Sequence, residues 1–206
     1  MKYRNIVFDL GGVLVGLDGP RCIKAFNELG CQRVSEYVER HLTADLFLDI
    51  EVGRITTADF CQEVRNLTCC MASDESIVAA WNTLLTTISR ERRKRLLALR
   101  QAGHRVFLLS NTNDMHWVYT RERLFPMDGK TTADFFDRVF LSYEMQLAKP
   151  DKRIFLRMME EGGMLPAETL FIDDNSDNVE TACSLGIHTF LNTHIDDWLH
   201  ADHLFE

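Results

Sequence analysis

Asp9 closes the apolar run "IVFD" and is followed at once by Gly11 and Gly12 in "DLGGVLV". A carboxylate at the end of a core-bound strand costs free energy unless it is paired, hydrogen-bonded or bound to metal. Comparable polar groups are Ser110-Asn111 in "LLSNTND", Lys149 in "LAKPD" and Asp173-Asp174 in "FIDDNSDN". Brought to one place, these groups suit phosphoryl transfer. Asp9 can attack phosphorus and carry the group as an aspartyl phosphate. Gly11 and Gly12 let backbone approach closely, so their amides can face phosphate oxygens and the Gly11 carbonyl a metal. Asp174 and Asp9 can supply oxygen ligands to Mg2+, Asp173 can reach it through water, and Asn178 can orient a carboxylate. Ser110 and Asn111 suit an anion at a helix start, and equally suit a helix cap. Lys149 precedes a proline, which biases it towards an extended conformation. Its charge can offset nucleophile and transferring group; alone it would read as a surface lysine.

Which elements must position them? Short apolar runs at 5–8, 105–109, 138–141, 169–172 and 188–191 read as buried parallel strands. Helices lie between them, from Ser89 to a stop at Gly103, from Pro150 to Gly162, and through "SDNVETACSLG" to Gly186. This alternation predicts a doubly wound parallel α/β sheet, whose ligands bind outside the carboxyl ends of the strands, where all four polar groups fall. Roughly 80 residues separate the first strand from the helix feeding the second, far more than a crossover needs. They read as helices over 21–29 and 34–42, a third capped by Thr56 and Asp59, and a fourth from Ser73. The expectation is a core of residues 1–15 and 89–206 with 16–88 as an inserted all-helical cap beside Asp9. The alternative is one longer domain with extra helices on its flank.

The 206 residues are 46% hydrophobic and carry a net charge of −8, enough apolar surface for one core and a field that does not favour nucleic acid or an anionic membrane. "MKYRNIVF" is too short an apolar run for a signal peptide, and no stretch has transmembrane length. The six cysteines show no C-x-x-C spacing, and the adjacent Cys69 and Cys70 read as coincidence, so the expectation is a reduced, cytoplasmic protein.

Asp9 in "FDLGGVL", Ser110 in "LLSNTN", Lys149 in "AKPD" and Asp173-Asp174 in "FIDDNSDN" resemble, in order, the four motifs of the haloacid dehalogenase (HAD) superfamily. The insertion resembles that superfamily's small helical cap, and the resemblance runs along nearly the whole chain. "HRVFLLSNTN", "LAKPDKRIF" and "FIDDNSDNVETACSLGI" are most similar to the subgroup containing α-D-glucose-1-phosphate phosphatases. The resemblance implies a HAD-like Rossmannoid fold and a Mg2+-dependent phosphatase with Asp9 as nucleophile. Asp9, the Gly11 carbonyl and Asp174 would bind the metal, and Ser110, Asn111 and Lys149 the phosphate. It implies a small phosphorylated metabolite as partner, no nucleic acid or membrane, and a monomer or small homo-oligomer.

One position departs from the pattern. Most phosphatases of this superfamily carry a second aspartate two residues after the nucleophile, as general acid and base; here it is Gly11. Such assistance supplies ~10²–10⁴-fold, so its loss predicts a preference for good leaving groups such as the anomeric oxygen of glucose 1-phosphate. Asp18 is either a substitute acid or the cap of the helix after Pro20. In the turn "IEVGRIT", Glu51 and Arg54 either read sugar hydroxyls or lie on a solvated turn. Competing readings are a phosphatase for another phosphomonoester, a metal-independent 2-haloacid dehalogenase, and a phospho-ligand-binding protein without turnover. The acid pair Asp173-Asp174 argues against the second, and only Gly11 favours the third.

Overall fold

β1 (Asn5–Phe8) is buried along its whole length and hydrogen-bonded on both sides, as its unbroken apolar sequence requires. The computed structural model describes residues 2–32, 34 and 44–205. Its sheet contains β1, β2 (Arg105–Ser110), β3 (Arg138–Leu141), β4 (Thr169–Asp173) and β5 (His188–Leu191), all parallel, in the order β3-β2-β1-β4-β5. The order reverses beside β1, which makes its carboxyl end the topological switch point of a doubly wound sheet. Register pairs Phe8 with both Leu108 and Ile172, and the Asp9 N–H donates to the Ile172 carbonyl at 2.9 Å. Asp9 is thereby level with Asp173. β2 and β4 each run one residue beyond the predicted strand, so Ser110 and Asp173 belong to the sheet itself.

The described helices are α1 (Gly19–Glu28), α2 (Ala44–Glu51), α3 (Thr57–Thr68), α4 (Asp74–Asn82), α5 (Arg90–Gln101), α6 (Asp114–Tyr119), α7 (Thr132–Phe135), α8 (Ser142–Met145), α9 (Lys152–Gly162) and α10 (Ser176–Ser184). Thr56 and Asp59 form the predicted capping box of α3, and Ser73 and Ser89 cap α4 and α5. Asp151, not the preceding proline, caps α9, so that helix starts at Lys152. The helix expected over 34–42 lies outside the described residues, apart from Val34.

Alternate residues of each strand point to opposite sheet faces. Ile6, Phe8, Leu108 and Ile172 pack with Trp198 on one face; Val7, Phe107, Phe140 and Phe171 pack with Phe155 on the other. A third apolar cluster holds Phe26, Phe60, Ile77 and Trp81 from the helices between β1 and α5, joined by Met115 of α6. The chain enters and leaves this helical insertion through paired linkers: Leu17 bridges Leu85, and the Gly16 carbonyl accepts from Thr86 N at 2.9 Å. No described helix is long and apolar enough to cross a membrane.

The expectation of reduced thiols is corrected. Cys31, just past α1, and Cys70, just past α3, are joined in a disulfide with Cα atoms 5.4 Å apart. The pairing joins two helix ends 39 residues apart in sequence, a proximity that Cys spacing cannot reveal. Cys22, Cys61, Cys69 and Cys183 are free.

Candidate active site

Lys149 is the hub of the carboxyl edge. Its ammonium lies 2.7 Å from Asp9 Oδ1 and 2.6 Å from Asp173 Oδ2, and all three residues are buried. Asn111 after β2 places it: Asn111 Oδ1 accepts from Lys149 N at 2.8 Å, and Asn111 Nδ2 donates to Lys149 O at 2.9 Å. Burial works against the ammonium, but Asp9 and Asp173 outweigh it and hold Lys149 above its ordinary value. Burial pushes the Asp9 carboxyl up; Lys149 pulls it down and the Asp173 charge adds to the rise.

Asp173 accepts at every side. Besides Lys149, its Oδ1 takes bonds from Asn175 N at 2.9 Å and Asn178 Nδ2 at 3.0 Å. Asn178 therefore orients a carboxylate, as its sequence position one turn into α10 suggests. Asp174 is exposed at the cavity mouth, its carboxyl raised by partial burial and then by Asp173. Oxygens of Asp9, Asp173 and Asp174 lie within 4.8 Å of one another. One ammonium faces three carboxylates, an excess of negative charge that a hard divalent cation with oxygen preference fits.

These groups open into a cavity of about 300 Å³ lined by Asp9, Gly11, Ser110, Asn111, Lys149 and Asp174, and roofed by Glu51, Leu84 and Leu85 of the insertion. A larger groove of about 540 Å³, between Arg21, Asn82 and Tyr119, contains none of the site carboxylates.

Several sequence expectations change. Gly12 does not offer its amide to a ligand: Gly12 N donates to Val15 O at 2.9 Å within the loop. Its glycine is needed for another reason, since a Cβ there would lie 2.0 Å from Asp174 Oδ2 and φ is +68°. The Asn111 side chain is committed to the Lys149 backbone, which leaves only its backbone for an anion in the cavity that Asn111 lines. Arg54 does not line the cavity and pairs with Asp49 at 2.8 Å, whereas Glu51 of the same turn lines it. Asp18 is a cap, accepting from Arg21 N at 2.9 Å, and does not line the cavity.

Sequence reading missed His116 of α6, which also lines the cavity. Its ring stacks on Trp81 at 4.8 Å, Nε2 donates to Trp81 O at 3.2 Å, and Nδ1 accepts from Asn113 Nδ2 at 3.4 Å. Burial depresses its pKa to about 4, so the ring is neutral. It missed Ser142 and Asn192 too: Ser142 Oγ accepts from Thr112 N, and Asn192 Nδ2 donates to Gly12 O. Only through-space neighbours distinguish these residues from ordinary polar ones.

A buried carboxylate at the switch point, a lysine between two acids and a third acid at the mouth match the edge motifs of a hydrolase of the HAD type. The chain belongs to the haloacid dehalogenase-like hydrolases, whose family model matches residues 3–186. It is 32% identical over 197 residues to a D-ribitol-5-phosphate phosphatase of Bacteroides thetaiotaomicron, covering 95% of this chain and 94% of that one. A HAD-family enzyme from the same organism is similar over 100% of both chains, with 41% identity and a TM-score of 0.94. That enzyme has also been crystallised with magnesium and inorganic phosphate. A HAD-like hydrolase structure from Porphyromonas gingivalis is 36% identical over 100% of both chains, with a TM-score of 0.89.

Proposed function

We propose that the chain is a Mg2+-dependent phosphatase of small sugar or sugar-alcohol phosphomonoesters, acting through an aspartyl phosphate on Asp9. The observation that carries this reading is Asp9 held by Lys149 in the wall of a half-open cavity, with Asp174 at its mouth. The phosphatase relative and the magnesium–phosphate complex of the similar enzyme support it. Asp9, Asp174 and the Gly11 carbonyl would hold the metal, with Asp173 adding charge behind them. Bound there, Mg2+ would neutralise phosphate oxygens and draw charge from the phosphorus under attack.

Each residue then has a task. Asp9 attacks phosphorus in line with the departing oxygen and regains its carboxylate when water cleaves the acyl phosphate. Lys149 compensates charge on Asp9 and on the transferring group, fixed by Asn111 and Asp173. Ser110, at the cavity wall, donates to a phosphate oxygen. The insertion, residues 16–88, acts as a cap on a core of residues 1–15 and 89–206. It closes the cavity and selects the organic half of the ester, with Glu51 rather than Arg54 as its polar contact.

The substrate class is a small sugar or polyol phosphate. Loss of the second aspartate favours an anomeric leaving group, as in α-D-glucose 1-phosphate, whereas the named relative acts on a primary phosphate ester. Phosphate release from D-ribitol 5-phosphate, α-D-glucose 1-phosphate and glucose 6-phosphate separates the two. We expect release by wild type with Mg2+, and none beyond background with EDTA or in Asp9→Asn. Release that persists in Asp9→Asn would overturn the mechanism, and silence on a wide phosphomonoester panel would overturn the function.

A further inference from the structure

A phosphatase without an acid two residues after its nucleophile still has to protonate an alkoxide and deprotonate a water. Among the described residues, five titratable groups line the cavity: Asp9, Glu51, His116, Lys149 and Asp174. Asp9 and Asp174 belong to nucleophile and metal, and Lys149 is locked between two carboxylates. His116 has both ring nitrogens occupied, by Trp81 O and by Asn113 Nδ2, and is neutral. Glu51 remains.

The fold holds Glu51 at this place with some care. It is the last residue of α2, and its carbonyl accepts from Ser142 Oγ at 2.5 Å, a contact across 91 residues between the insertion and the first residue of α8, directly after β3. Two residues on, Gly53 has φ +67°, and a Cβ there would fall 2.3 Å from Tyr143 O. Any side chain at position 53 would lift the turn off the core. Tyr143 itself turns its hydroxyl to Glu144, away from this role. The Ser142 hydrogen bond and the close backbone approach at Gly53 thus seat the Glu51 turn on the core, and Glu51 lines the cavity.

Resting on the phosphatase reading, we propose that Glu51 is the catalytic acid and base, supplied by the helical insertion in place of the missing aspartate. In the first step, Asp9 Oδ forms a bond to phosphorus, the phosphorus–oxygen bond to the substrate breaks, and the Glu51 carboxyl gives its proton to the departing oxygen. In the second, the Glu51 carboxylate takes a proton from water, whose oxygen bonds to phosphorus while the acyl phosphate bond breaks. Asp9, inorganic phosphate and protonated Glu51 are regenerated. Burial raises the Glu51 carboxyl above its ordinary value, with Lys149 opposing, the direction that favours an acid–base role.

The test compares wild type and Glu51→Gln, both saturated with Mg2+, on p-nitrophenyl phosphate and on alkyl phosphates such as D-ribitol 5-phosphate and glycerol 3-phosphate. A nitrophenolate leaves without a proton, so Glu51→Gln should release a burst approaching one equivalent per active site, then turn over slowly. Alkyl phosphates should show no burst and a kcat lower by ~10²–10⁴-fold. The pH profile of kcat on alkyl phosphates should lose its Glu51-dependent limb. Glu51→Gln with an unchanged kcat and a raised KM only on polyol phosphates would make Glu51 a reader of hydroxyls and overturn the proposal. Loss of the burst together with alkyl turnover would assign it a positioning role and overturn it equally. Wild-type silence on every ester, p-nitrophenyl phosphate included, would instead fell the phosphatase reading and the proposal with it.

Discussion

Asp174 occupies a space left by a missing side chain. Gly12, with its left-handed backbone and a would-be Cβ 2.0 Å from Asp174 Oδ2, can be no other residue without moving that carboxylate. Gly12→Ala should therefore weaken half-saturation by Mg2+ by ~10–100-fold, the usual cost of disturbing the support of a metal ligand. Titrating Mg2+ into the phosphate-release assay checks this, with far-UV circular dichroism to show that the fold persists. An unchanged half-saturation would mean that Asp174 is not a ligand. At this scale the sequence was legible for residue types: Asp9, Ser110, Lys149, Asp173 and Asp174 do meet at one edge. It was not legible for partners. The commitment of Asn111 to the Lys149 backbone, of Gly12 N to Val15 and of Arg54 to Asp49 depends on neighbours that no local pattern announces.

Helix α6 and helix α4 meet through His116 and Trp81, which makes this pair one of the joints between sheet and insertion. Its imidazole is neutral when folded, with its pKa depressed from 6.5 to about 4. Between those values the unfolded chain binds the proton and the folded one does not, so stability rises with pH through that window. The contribution is complete above about pH 6.5 and is lost progressively as pH falls towards 4. A shift of this size corresponds to about 3 kcal/mol. His116→Gln, which keeps a donor for Trp81 O and cannot be charged, should flatten that part of the profile. Urea unfolding of both proteins between pH 4 and pH 7.5 measures the difference; parallel profiles would show that His116 does not carry it. The strands and the capped helices were readable because their signals are local: apolar runs, and Ser, Thr or Asp at helix starts. The contacts between helices were not, since they join residues far apart in sequence.

The whole molecule gathers three carboxylates around one lysine on a chain that already carries a net charge of −8. A cation that binds this edge only in the folded state must raise stability by mass action, about 2.7 kcal/mol at a hundredfold excess over Kd. For a chain of this length that is roughly 5–10 °C in Tm. Thermal unfolding with EDTA and with saturating Mg2+ should show the increase in wild type and little of it in Asp174→Asn. Equal Tm values in wild type would argue against a metal at this site.

By itself the sequence determined that a parallel sheet forms, that two strands end in hydroxyl and acid, and that a lysine follows a third. Those choices are made by residues within a few positions of one another. It also called for helices after the first strand, because the residues there far exceed what a plain crossover needs. Only the tertiary structure decided which glycine approaches a carboxylate, that Cys31 meets Cys70, and that Glu51 and not Arg54 faces the cavity. Each of those outcomes depends on a contact between separate elements, where position in space rather than position in the chain sets the partner.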